Sequence, residues 1–474
     1  MQDNNNAPLY ERLIQHIERR PLSFHVPGHK FGEVFSEKGY DIFQGILSID
    51  ATEVPGLDDL HAAAEIIKES QDLAARFFGS EETYFLVNGS TAGNMASILA
   101  ACRPGDTVLV QRNCHKSVLH GLELAGVDPV FFTPEFEDHT SRYSFLHKNV
   151  IIEALELHPR ASAVILTYPD YFGRAYPIKE VIDAVHQYDV PVIVDEAHGV
   201  HFSLGDPFPP SSVHAGADLV VQSAHKMAPA LTMSSYLHIS GERVNRARLS
   251  YYLQMLQSSS PSYPLMASLD LARLFLSTFE EKDKESLLSY LGKMREVIAG
   301  AEAPYRVLPV DLFDDPLKIT LEAQKGYTGF DIAAKLESVG IYVELADTKQ
   351  VLLIAGLSHS IELGRLKKRL SEVNWQLKSP DDHGTMKREL LSIPKVQSLA
   401  LSYQDMQQET PEFVNWSQAA GRICAEAVIP YPPGIPFILK GERLTEQQIH
   451  YVQSLHEQGA SFQNTDIKQG TWVF

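Results

Sequence analysis

The segment VPVIVDEAHGVH (residues 190–201) decides the fold class, because its continuously apolar run ends at a carboxylate followed by two histidines. Runs that are apolar at every position, rather than at alternate positions, are typical of strands covered on both faces. Asp195 ends the run, and His198 and His201 follow in the next turn. The segment therefore predicts a buried strand that delivers polar groups at its carboxyl end.

Similar short apolar runs lie on both sides of this segment. With 191–195 itself, the predicted strands are 83–87, 107–111, 129–132, 163–168, 191–195 and 218–223. Amphipathic stretches separate them and predict helices at 91–102, 116–126, 147–158 and 177–188. Strands that alternate with helices in this way form βαβ crossovers, so we expect an α/β fold with a mainly parallel central sheet and helices on both faces.

The chain on either side of this region has a different pattern. Residues 59–78 and 261–303 are predicted to be helical, whereas strands at 317–321, 341–344 and 351–355 with helices at 328–339 and 359–376 indicate a smaller α+β domain. The polar stretch 378–389 is predicted to be a surface loop, and the prolines of 429–444 exclude a helix or central strand. We therefore divide the chain into an N-terminal arm (1–45), a large domain (46–300) and a smaller C-terminal domain (301–474).

Composition narrows the function classes. The 474 residues are 44% hydrophobic and 21% charged, with a formal net charge of −19, so generic binding to nucleic acid or anionic lipid is not expected. No apolar run reaches the roughly 18 to 20 residues that a membrane span needs, and the N-terminus shows no signal-peptide pattern. Three cysteines are too few for a disulfide framework. We expect a cytoplasmic enzyme.

A segment rich in glycine and hydroxyl groups, LVNGSTAGNMA (86–96), follows the first strand and opens the next helix. Glycine lets the backbone approach a ligand closely, and free N–H groups lie with the Ser90 and Thr91 hydroxyls at the positive end of the helix. The pattern indicates a phosphate cradle. An ordinary helix N-cap is the alternative, because Ser and Thr cap helices widely.

The carboxylate of Asp195 ends a strand predicted to be buried, where it stays ionised only beside a cation or several donors. The letters DEAH (195–198) also suggest a helicase, but a helicase needs a GxxxxGK[ST] phosphate loop upstream, which this sequence lacks. Asp195, His198 and His201 are of metal-ligand type, yet no further Cys/His pair completes a site. We expect no metal.

Two more strands end in residues that can carry chemistry. In DLVVQSAHKMAPALT (218–232) the strand ends in Ser223, Ala224, His225 and Lys226. A buried strand-end lysine has a lowered pKa suited to Schiff-base formation, whereas a solvated loop lysine is the alternative. In QRNCHKSVLHG (111–121) His115 lies at the mouth of its strand, where an ordinary polar loop residue is the alternative.

Together these segments have the order that pyridoxal 5'-phosphate requires. The phosphate needs the cradle, the ring nitrogen needs the carboxylate as a counter-ion, and the aldehyde needs the lysine. Lys226 follows Asp195 after 31 residues, and His115 lies between the cradle and Asp195. We therefore predict that pyridoxal 5'-phosphate is the cofactor.

At these residues the chain resembles the fold-type I pyridoxal-phosphate enzymes, and more closely the compact members of the Orn/Lys/Arg decarboxylase family. Nine segments carry the resemblance in the family's order: SFHVPGHK (23–30), TEVPGLDDLH (52–61), NGSTAGN (88–94), RNCHKSV (112–118), VDEAHGVHF (194–202), SAHK (223–226), SPSYPLMASLD (260–270), AGRICAE (420–426) and PYPPGIP (430–436).

The resemblance implies a role for each matching position. Lys226 would hold the aldehyde as an imine, and Asp195 would pair with the pyridine nitrogen. His115 would stack on the ring, and Ser90, Thr91 and Ser223 would bind the phosphate. His225 would lie beside the imine, and His198 would lie beside the ring oxygen. Three positions depart from the family pattern, namely Met233, Asp170 and Lys440. Met233 and Asp170 bear on the choice of substrate.

The reaction that the resemblance implies is α-decarboxylation of arginine, lysine or ornithine to an amine and CO2, in polyamine-related metabolism. The distal cation needs a carboxylate, for which Glu426 and Glu53 are candidates in matched segments. Another fold-type I reaction, aldol cleavage or aminotransfer, would use the same cofactor residues. A non-catalytic pyridoxal-phosphate-binding regulator is the other alternative, which intact Lys226 and Asp195 oppose.

The resemblance also implies an assembly. Fold-type I sites are generally completed across a dimer interface, so we expect a homodimer or a multiple of one. SSSPSY (258–263) is the segment expected to offer a hydroxyl to the neighbour's phosphate.

Overall fold

A computed structural model of the protein describes residues 5–324, 326–375, 393–430 and 435–474. Its strands are β1 (Glu82–Leu86), β2 (Thr107–Gln111), β3 (Asp128–Phe132), β4 (Glu135–Glu137), β5 (Arg142–Phe145), β6 (Ala163–Thr167), β7 (Val192–Asp195), β8 (Leu219–Gln222), β9 (Ser235–Ile239), β10 (Tyr305–Val307), β11 (Lys318–Ala323), β12 (Leu345–Ala346), β13 (Gln350–Ile354), β14 (Val396–Ser398), β15 (Glu412–Asn415) and β16 (Gly470–Val473).

The α-helices surround these strands. They are α1 (Pro8–Glu18), α2 (Tyr40–Ile49), α3 (Ile66–Phe78), α4 (Gly89–Ala101), α5 (Lys116–Ala125), α6 (Lys148–Leu157), α7 (Ile178–His186), α8 (Ala224–Met227), α9 (Arg246–Leu256), α10 (Tyr263–Ser277), α11 (Glu281–Ala299), α12 (Gly329–Glu337), α13 (Leu363–Glu372), α14 (Tyr403–Met406), α15 (Trp416–Ala419) and α16 (Glu446–Glu457).

An eight-stranded sheet forms the centre of the molecule, with the strand order β1-β9-β8-β7-β6-β2-β3-β14. The neighbours from β8 to β3 are parallel, and β9 and β14 pair antiparallel with their neighbours. Six strands (β1, β2, β3, β6, β7 and β8) therefore run in one direction, and their carboxyl ends meet at one edge of the sheet. Parallel α/β sheets place ligands at this edge.

Apolar side chains cover both faces of the large sheet. On one face the strands contribute Leu109, Val164, Val194 and Val220 to a hydrophobic core. On the other face they contribute Val108, Val110, Ile165, Ile193, Leu219 and Val221 to a second core. This double burial is the reason why the strand sequences are apolar at successive positions. The six predicted strands agree within one residue at each end with β1, β2, β3, β6, β7 and β8, and the α/β fold class is confirmed.

Strand β9 was not predicted, because two of its five residues, Ser235 and His238, are polar. His238 is nonetheless fully buried, since its Nδ1 lies 2.8 Å from the Thr83 hydroxyl and its Nε2 3.0 Å from Gln222 Oε1. A strand whose polar side chains are satisfied by its neighbours does not form a continuous apolar run.

Two other predictions differ from the structure. The helix expected at 59–78 begins only at Ile66, because the Asp58 carboxylate accepts the N–H groups of Ile67 and other residues that open the helix. The strand predicted at 341–344 is wrong, because the two-residue strand β12 lies just after it. The loop predicted at 378–389 lies outside the described residues.

Two smaller sheets complete the described chain. The order β10-β11-β13-β12 forms a four-stranded antiparallel sheet, and β15 pairs with β16 near the C-terminus. β14 comes from the part of the chain assigned to the smaller domain, yet it pairs with β3 of the large sheet. The domain limits at residues 45 and 300 stay a prediction.

Candidate active site

A cavity of about 300 Å³ opens at the carboxyl ends of β1, β2, β6, β7 and β8. It brings together the four segments that the sequence singled out. Its lining consists of Asn88, Gly89, Ser90, Thr91, Asn94, Asn113, His115, Ser117, Thr167, Pro169, Tyr171, Asp195, Ala197, His198, Ser223, His225, Lys226, Thr232, Met233 and Ile435.

One end of the cavity is formed by hydroxyl groups and the start of α4. Ser90 Oγ lies 2.7 Å from Ser223 Oγ and 3.1 Å from Ser235 Oγ. Gly89 has a positive φ of 72°, which glycine adopts without strain, and no side chain caps the helix. The Gly89 N–H donates to the Met233 carbonyl at 2.9 Å, so the N–H groups that follow it in the first turn of α4 are the ones left for a ligand, and the positive helix end favours an anion there. Thr91 lies on the same turn and is exposed.

The buried carboxylate of Asp195 also lines the cavity. Asn94 Nδ2 donates to Asp195 Oδ2 at 3.0 Å and also to Ser117 Oγ at 2.9 Å. Burial raises the pKa of Asp195, and the Lys226 charge, the Asn94 amide and the Ala197 backbone N–H oppose part of this rise. Asp195 Oδ1 has no hydrogen-bond partner among the described residues, although it is buried. A buried carboxylate oxygen without a donor is costly, so a ligand N–H would stabilise it.

The imidazole of His115 caps α5 and is held in one tautomer. Its Nδ1 accepts from the Ser117 backbone N–H at 3.2 Å and lies 2.8 Å from Ser117 Oγ. The Ser117 hydroxyl accepts from Asn94, so its own proton points to His115 Nδ1, and the His115 proton is on Nε2. Burial lowers the pKa of His115 to about 4, with Lys226 as the next cause. The ring is therefore neutral, and it is connected to Asp195 through Ser117 and Asn94.

The side-chain nitrogen of Lys226 lies near an imidazole ring and an aromatic ring. The residue is on the one-turn helix α8 directly after β8, and its Nζ lies 3.2 Å from His198 Nε2 and 5.7 Å from the centroid of the Tyr171 ring. Burial lowers the pKa of Lys226, while the charges of Asp195 and Glu344 oppose this. A lysine with a lowered pKa is more often the neutral nucleophile.

Two further histidines lie beside Lys226. His225 Nδ1 lies 3.0 Å from the Ser234 carbonyl and therefore carries a proton, and burial lowers the pKa of His225. His198 is buried, and burial followed by the charges of Lys226 and Lys318 lowers its pKa well below the usual value. Both rings are neutral groups near neutral pH.

The glutamate of DEAH has a supporting position rather than a place in the cavity. Glu196 Oε2 accepts from the Ser212 N–H at 2.7 Å, and Oε1 accepts from Gln222 Nε2 at 2.9 Å. Burial raises the pKa of Glu196 to about 7. These bonds fix the turn between Asp195 and His198.

Several residues named from the sequence lie away from the cavity lining. Glu53 is exposed, and Glu426 is half-buried beside Asn464 and Thr471, where burial raises its pKa. Asp170 accepts from Ser144 Oγ at 2.6 Å and from the Arg174 N–H at 2.8 Å, so it supports a loop. Lys440 donates to Glu123 at 2.5 Å. Met233 does line the cavity.

Four residues of the site were not singled out by the sequence. Asn94 and Ser117 lie within quoted segments, but their contacts become visible only when α4 and α5 are placed side by side. Tyr171 comes from the loop after β6, and its ring centroid lies 4.4 Å from that of His198. Lys318 lies on β11, and its Nζ is 3.0 Å from His198 Nδ1. The sequence feature that could have drawn attention to it is a charged residue within an apolar run.

These residues fit pyridoxal 5'-phosphate. The uncapped start of α4 and the hydroxyls of Ser90 and Ser223 suit a phosphate, the donor-free oxygen of Asp195 suits a protonated ring nitrogen, and Lys226 suits an aldehyde. The described part of the chain holds no group of three or more His, Cys, Asp or Glu arranged for a metal ion. Within the same residues no helix has the length and apolar character needed to cross a membrane.

Comparisons with known proteins agree on one family. The model of the Orn/Lys/Arg decarboxylase major domain matches residues 7–311, and that of the family's C-terminal domain matches residues 385–464. The protein named Uncharacterized protein YaaO of Bacillus subtilis (strain 168) is 44% identical, over 98% of this chain and 97% of its own. The arginine decarboxylase of the same organism is 37% identical, over 94% of this chain and 93% of its own.

A solved structure agrees with this at the level of the fold. The lysine decarboxylase LdcF of Francisella novicida superposes with a TM-score of 0.82 at 21% identity, over 99% of this chain and 81% of that chain. At this identity the likeness shows the architecture, which is that of the fold-type I pyridoxal-phosphate enzymes. From the two matching family models and the relatives above 30% identity, the chain belongs to the Orn/Lys/Arg decarboxylase family.

Proposed function

We propose that this protein is a pyridoxal 5'-phosphate-dependent decarboxylase that converts arginine to its amine and CO2, with lysine as the next best substrate. The observation that carries this proposal is the presence of Lys226 and the donor-free Asp195 Oδ1 in one cavity of about 300 Å³. Membership of the Orn/Lys/Arg decarboxylase family supports a basic amino acid as substrate.

The choice of arginine rests on the relatives' names. Proteins named arginine decarboxylase from Bacillus subtilis and Bacillus anthracis are 37% and 35% identical to this chain, whereas the constitutive lysine decarboxylase of Escherichia coli is 25% identical. The net charge of −19 also favours the approach of a cation. Glu426 and Glu53 remain candidates for the substrate's distal cation, and the product would enter polyamine-related metabolism.

When bound, pyridoxal 5'-phosphate supplies an aldehyde for the substrate's amino group and an electron sink for the pair left behind by CO2. Asp195 is the candidate for keeping a proton on the ring nitrogen, and the donation from Asn94 Nδ2 to Asp195 Oδ2 at 3.0 Å supports this role by fixing the carboxylate. The neutral His115 ring, the candidate for stacking on the cofactor ring, is linked to Asp195 through Ser117 and Asn94. These groups are in position before the reaction begins, which is how an enzyme stabilises charge that develops in the transition state.

The chain also has to hold and move protons near Lys226. Decarboxylation replaces the carboxylate on Cα by a proton, so a donor is needed beside that carbon. Lys226 and His225 are the two candidates, and both line the cavity. The N–H groups at the start of α4, with Ser90 and Ser223, are the candidates for orienting the phosphate.

We also propose a homodimer or a multiple of one, located in the cytoplasm. The support for the dimer is a stretch of exposed apolar side chains near the N-terminus, with Leu22 87%, Phe24 96% and Ile42 83% exposed. A patch of this kind is a typical protein–protein contact, and a second copy is the partner that the family resemblance implies. The support for a cytoplasmic location is the cysteine content, since all three cysteines are buried and free.

Product analysis tests this function. The purified protein with pyridoxal 5'-phosphate is incubated separately with arginine, lysine, ornithine and leucine, and the amine and CO2 are measured. We expect the amine of arginine in greatest yield and none from leucine. Formation of an amine from leucine only, or of a keto acid without CO2, would exclude the proposed reaction. Lys226→Ala is the control for catalysis at this site.

A further inference from the structure

A basic amino acid carries a second positive charge at the end of its side chain, and this charge needs a carboxylate near the cavity. Among the described residues that line the cavity, the one carboxylate is that of Asp195. Its donor-free oxygen is the group that suits the ring nitrogen of the cofactor. The distal cation of the substrate therefore calls for a second carboxylate close to this lining.

A glutamate just outside the lining is hydrogen-bonded to one of its side chains. Tyr171 lines the cavity, and its hydroxyl donates to Glu344 Oε1 at 2.6 Å. The centroid of the Tyr171 ring lies 5.7 Å from Lys226 Nζ and 4.4 Å from the centroid of the His198 ring. One tyrosine side chain therefore connects the Glu344 carboxylate with the surroundings of Lys226.

The charge of Glu344 reaches the reactive end of the cavity. Burial lowers the pKa of Lys226, and the carboxylates of Asp195 and Glu344 oppose this effect. Burial also lowers the pKa of Lys318, to about 8, and Glu344 is again among the carboxylates that oppose the effect. A negative charge that acts on groups inside the site also attracts a cation that enters it.

Both partners of the hydrogen bond between Tyr171 and Glu344 are held by their backbones. In the loop of Tyr171, the Asp170 N–H donates to the Arg174 carbonyl at 2.9 Å. Glu344 directly precedes β12, and its own N–H donates to the Leu352 carbonyl at 2.9 Å. The carboxylate is therefore in place before a substrate binds, which reduces the entropy that binding costs.

The Glu344 carboxylate keeps acceptor capacity for a ligand. Its two oxygens offer about four lone-pair sites, of which the Tyr171 hydroxyl uses one. The residue is exposed, so a substrate can reach it from the cavity mouth. A guanidinium is a planar fork that can donate to both carboxylate oxygens, whereas an ammonium is a point charge. A carboxylate of this kind suits arginine better than lysine.

We propose that Glu344 binds the distal cation of the substrate and that the Tyr171 hydroxyl orients its carboxylate for this contact. The inference rests on the proposed function, because it requires a basic amino acid in this cavity. Of the three candidates Glu53, Glu344 and Glu426, Glu344 is the one whose carboxylate is hydrogen-bonded to a lining side chain. A guanidinium has five N–H donors, so a contact with Glu344 does not exclude one with Glu426.

The test separates the charge of Glu344 from the shape of the cavity. Full-length protein loaded with pyridoxal 5'-phosphate is assayed with arginine as substrate and with citrulline, its uncharged isostere, as competitive inhibitor. In Glu344→Gln, KM for arginine is expected to rise about tenfold, equivalent to about 1.4 kcal/mol, with kcat changed less than about threefold. The inhibition constant of citrulline should stay within about twofold, since citrulline has no charge to lose.

A binding measurement gives the same comparison without turnover. The visible absorbance of the cofactor is titrated with the product amine of arginine, and its dissociation constant should also rise about tenfold in Glu344→Gln. Glu344→Asp keeps the charge and should lose less affinity than Glu344→Gln. Tyr171→Phe keeps the carboxylate without its orienting hydroxyl, so a rise of about threefold is expected. Glu337→Gln, an exposed glutamate of α12, is the matched control and should change nothing.

Two results would overturn the inference. One is an unchanged KM for arginine together with an unchanged dissociation constant of the amine in Glu344→Gln. The other is an equal weakening of arginine and citrulline, which would assign Glu344 a structural role through Tyr171. Borohydride should fix the cofactor to Lys226 equally in all variants. If the wild-type protein forms no amine from arginine, the proposed function itself fails, whereas an active wild-type protein with an unaffected Glu344→Gln variant contradicts the inference alone.

Discussion

Replacing Gly173 by alanine should disturb both the stability of the protein and the position of Lys318. Gly173 has a φ of +86°, and its added Cβ would lie 2.4 Å from Lys318 Cγ and 2.9 Å from Asp315 Cβ. Contacts under 3.0 Å force atoms to move, and the loop cannot move freely because the Gly173 carbonyl accepts the Asp315 N–H at 2.9 Å. The variant therefore combines backbone strain with overpacking in a buried place.

The magnitude follows from these two contributions. A side chain in the left-handed region costs about 1–2 kcal/mol, and overpacking a filled interior costs about 1–3 kcal/mol more. We expect Gly173→Ala to lower the free energy of unfolding by about 2–5 kcal/mol in total. Gly340→Ala is the matched control, because Gly340 has a similar φ of +76° and no atom within 4 Å of its added Cβ. The control should lose about 1–2 kcal/mol only.

Urea unfolding followed by circular dichroism, at equal protein concentration, measures both variants. The difference between them isolates the contact with Lys318 and Asp315. Equal losses for Gly173→Ala and Gly340→Ala would refute the steric reasoning.

Three more predictions address the chemistry. Borohydride reduction of the cofactor-loaded protein should fix the cofactor to Lys226, and mass spectrometry that finds the adduct on another lysine would contradict the assignment. Asp195→Asn should retain the cofactor but lose activity on the order of 10²-fold or more, because a neutral amide does not hold the ring-nitrogen proton; near-normal turnover in a folded variant would refute this role. Glu426→Gln should raise KM for arginine with a smaller effect on kcat, and an unchanged KM would remove Glu426 from the substrate site.

The sequence predicted those residues of the candidate site that lie at or just after the ends of strands. Asp195 ends a continuously apolar run and Lys226 lies on the short helix that follows the next parallel strand, so their approach follows from the parallel order of β7 and β8. Asn94 was not predicted, since an amide within a helix has many ordinary explanations. Its role depends on two bonds, to Ser117 and to Asp195, that span 23 and 101 residues of sequence.

The substrate residues show the limit of family patterns. Glu426 and Glu53 were named because they lie in matched segments, yet neither lines the cavity of a single chain. Asp170 departs from the family pattern, but in the structure it is bonded to Ser144 and Arg174 and supports a loop. The position of a residue in a matched segment therefore does not show which contacts its side chain makes.

The sequence by itself determined the α/β class, the six strands that run in one direction, and the strand ends where chemistry is placed, because burial on both faces and helical periodicity are local properties of the chain. Only the tertiary structure decided what surrounds those ends. β9 enters the sheet between β1 and β8 with a buried histidine, and Lys318 reaches His198 across 120 residues of sequence. Such contacts form when polar groups that are distant in sequence become hydrogen-bonded to each other in the packed fold. A local pattern of residues does not predict them.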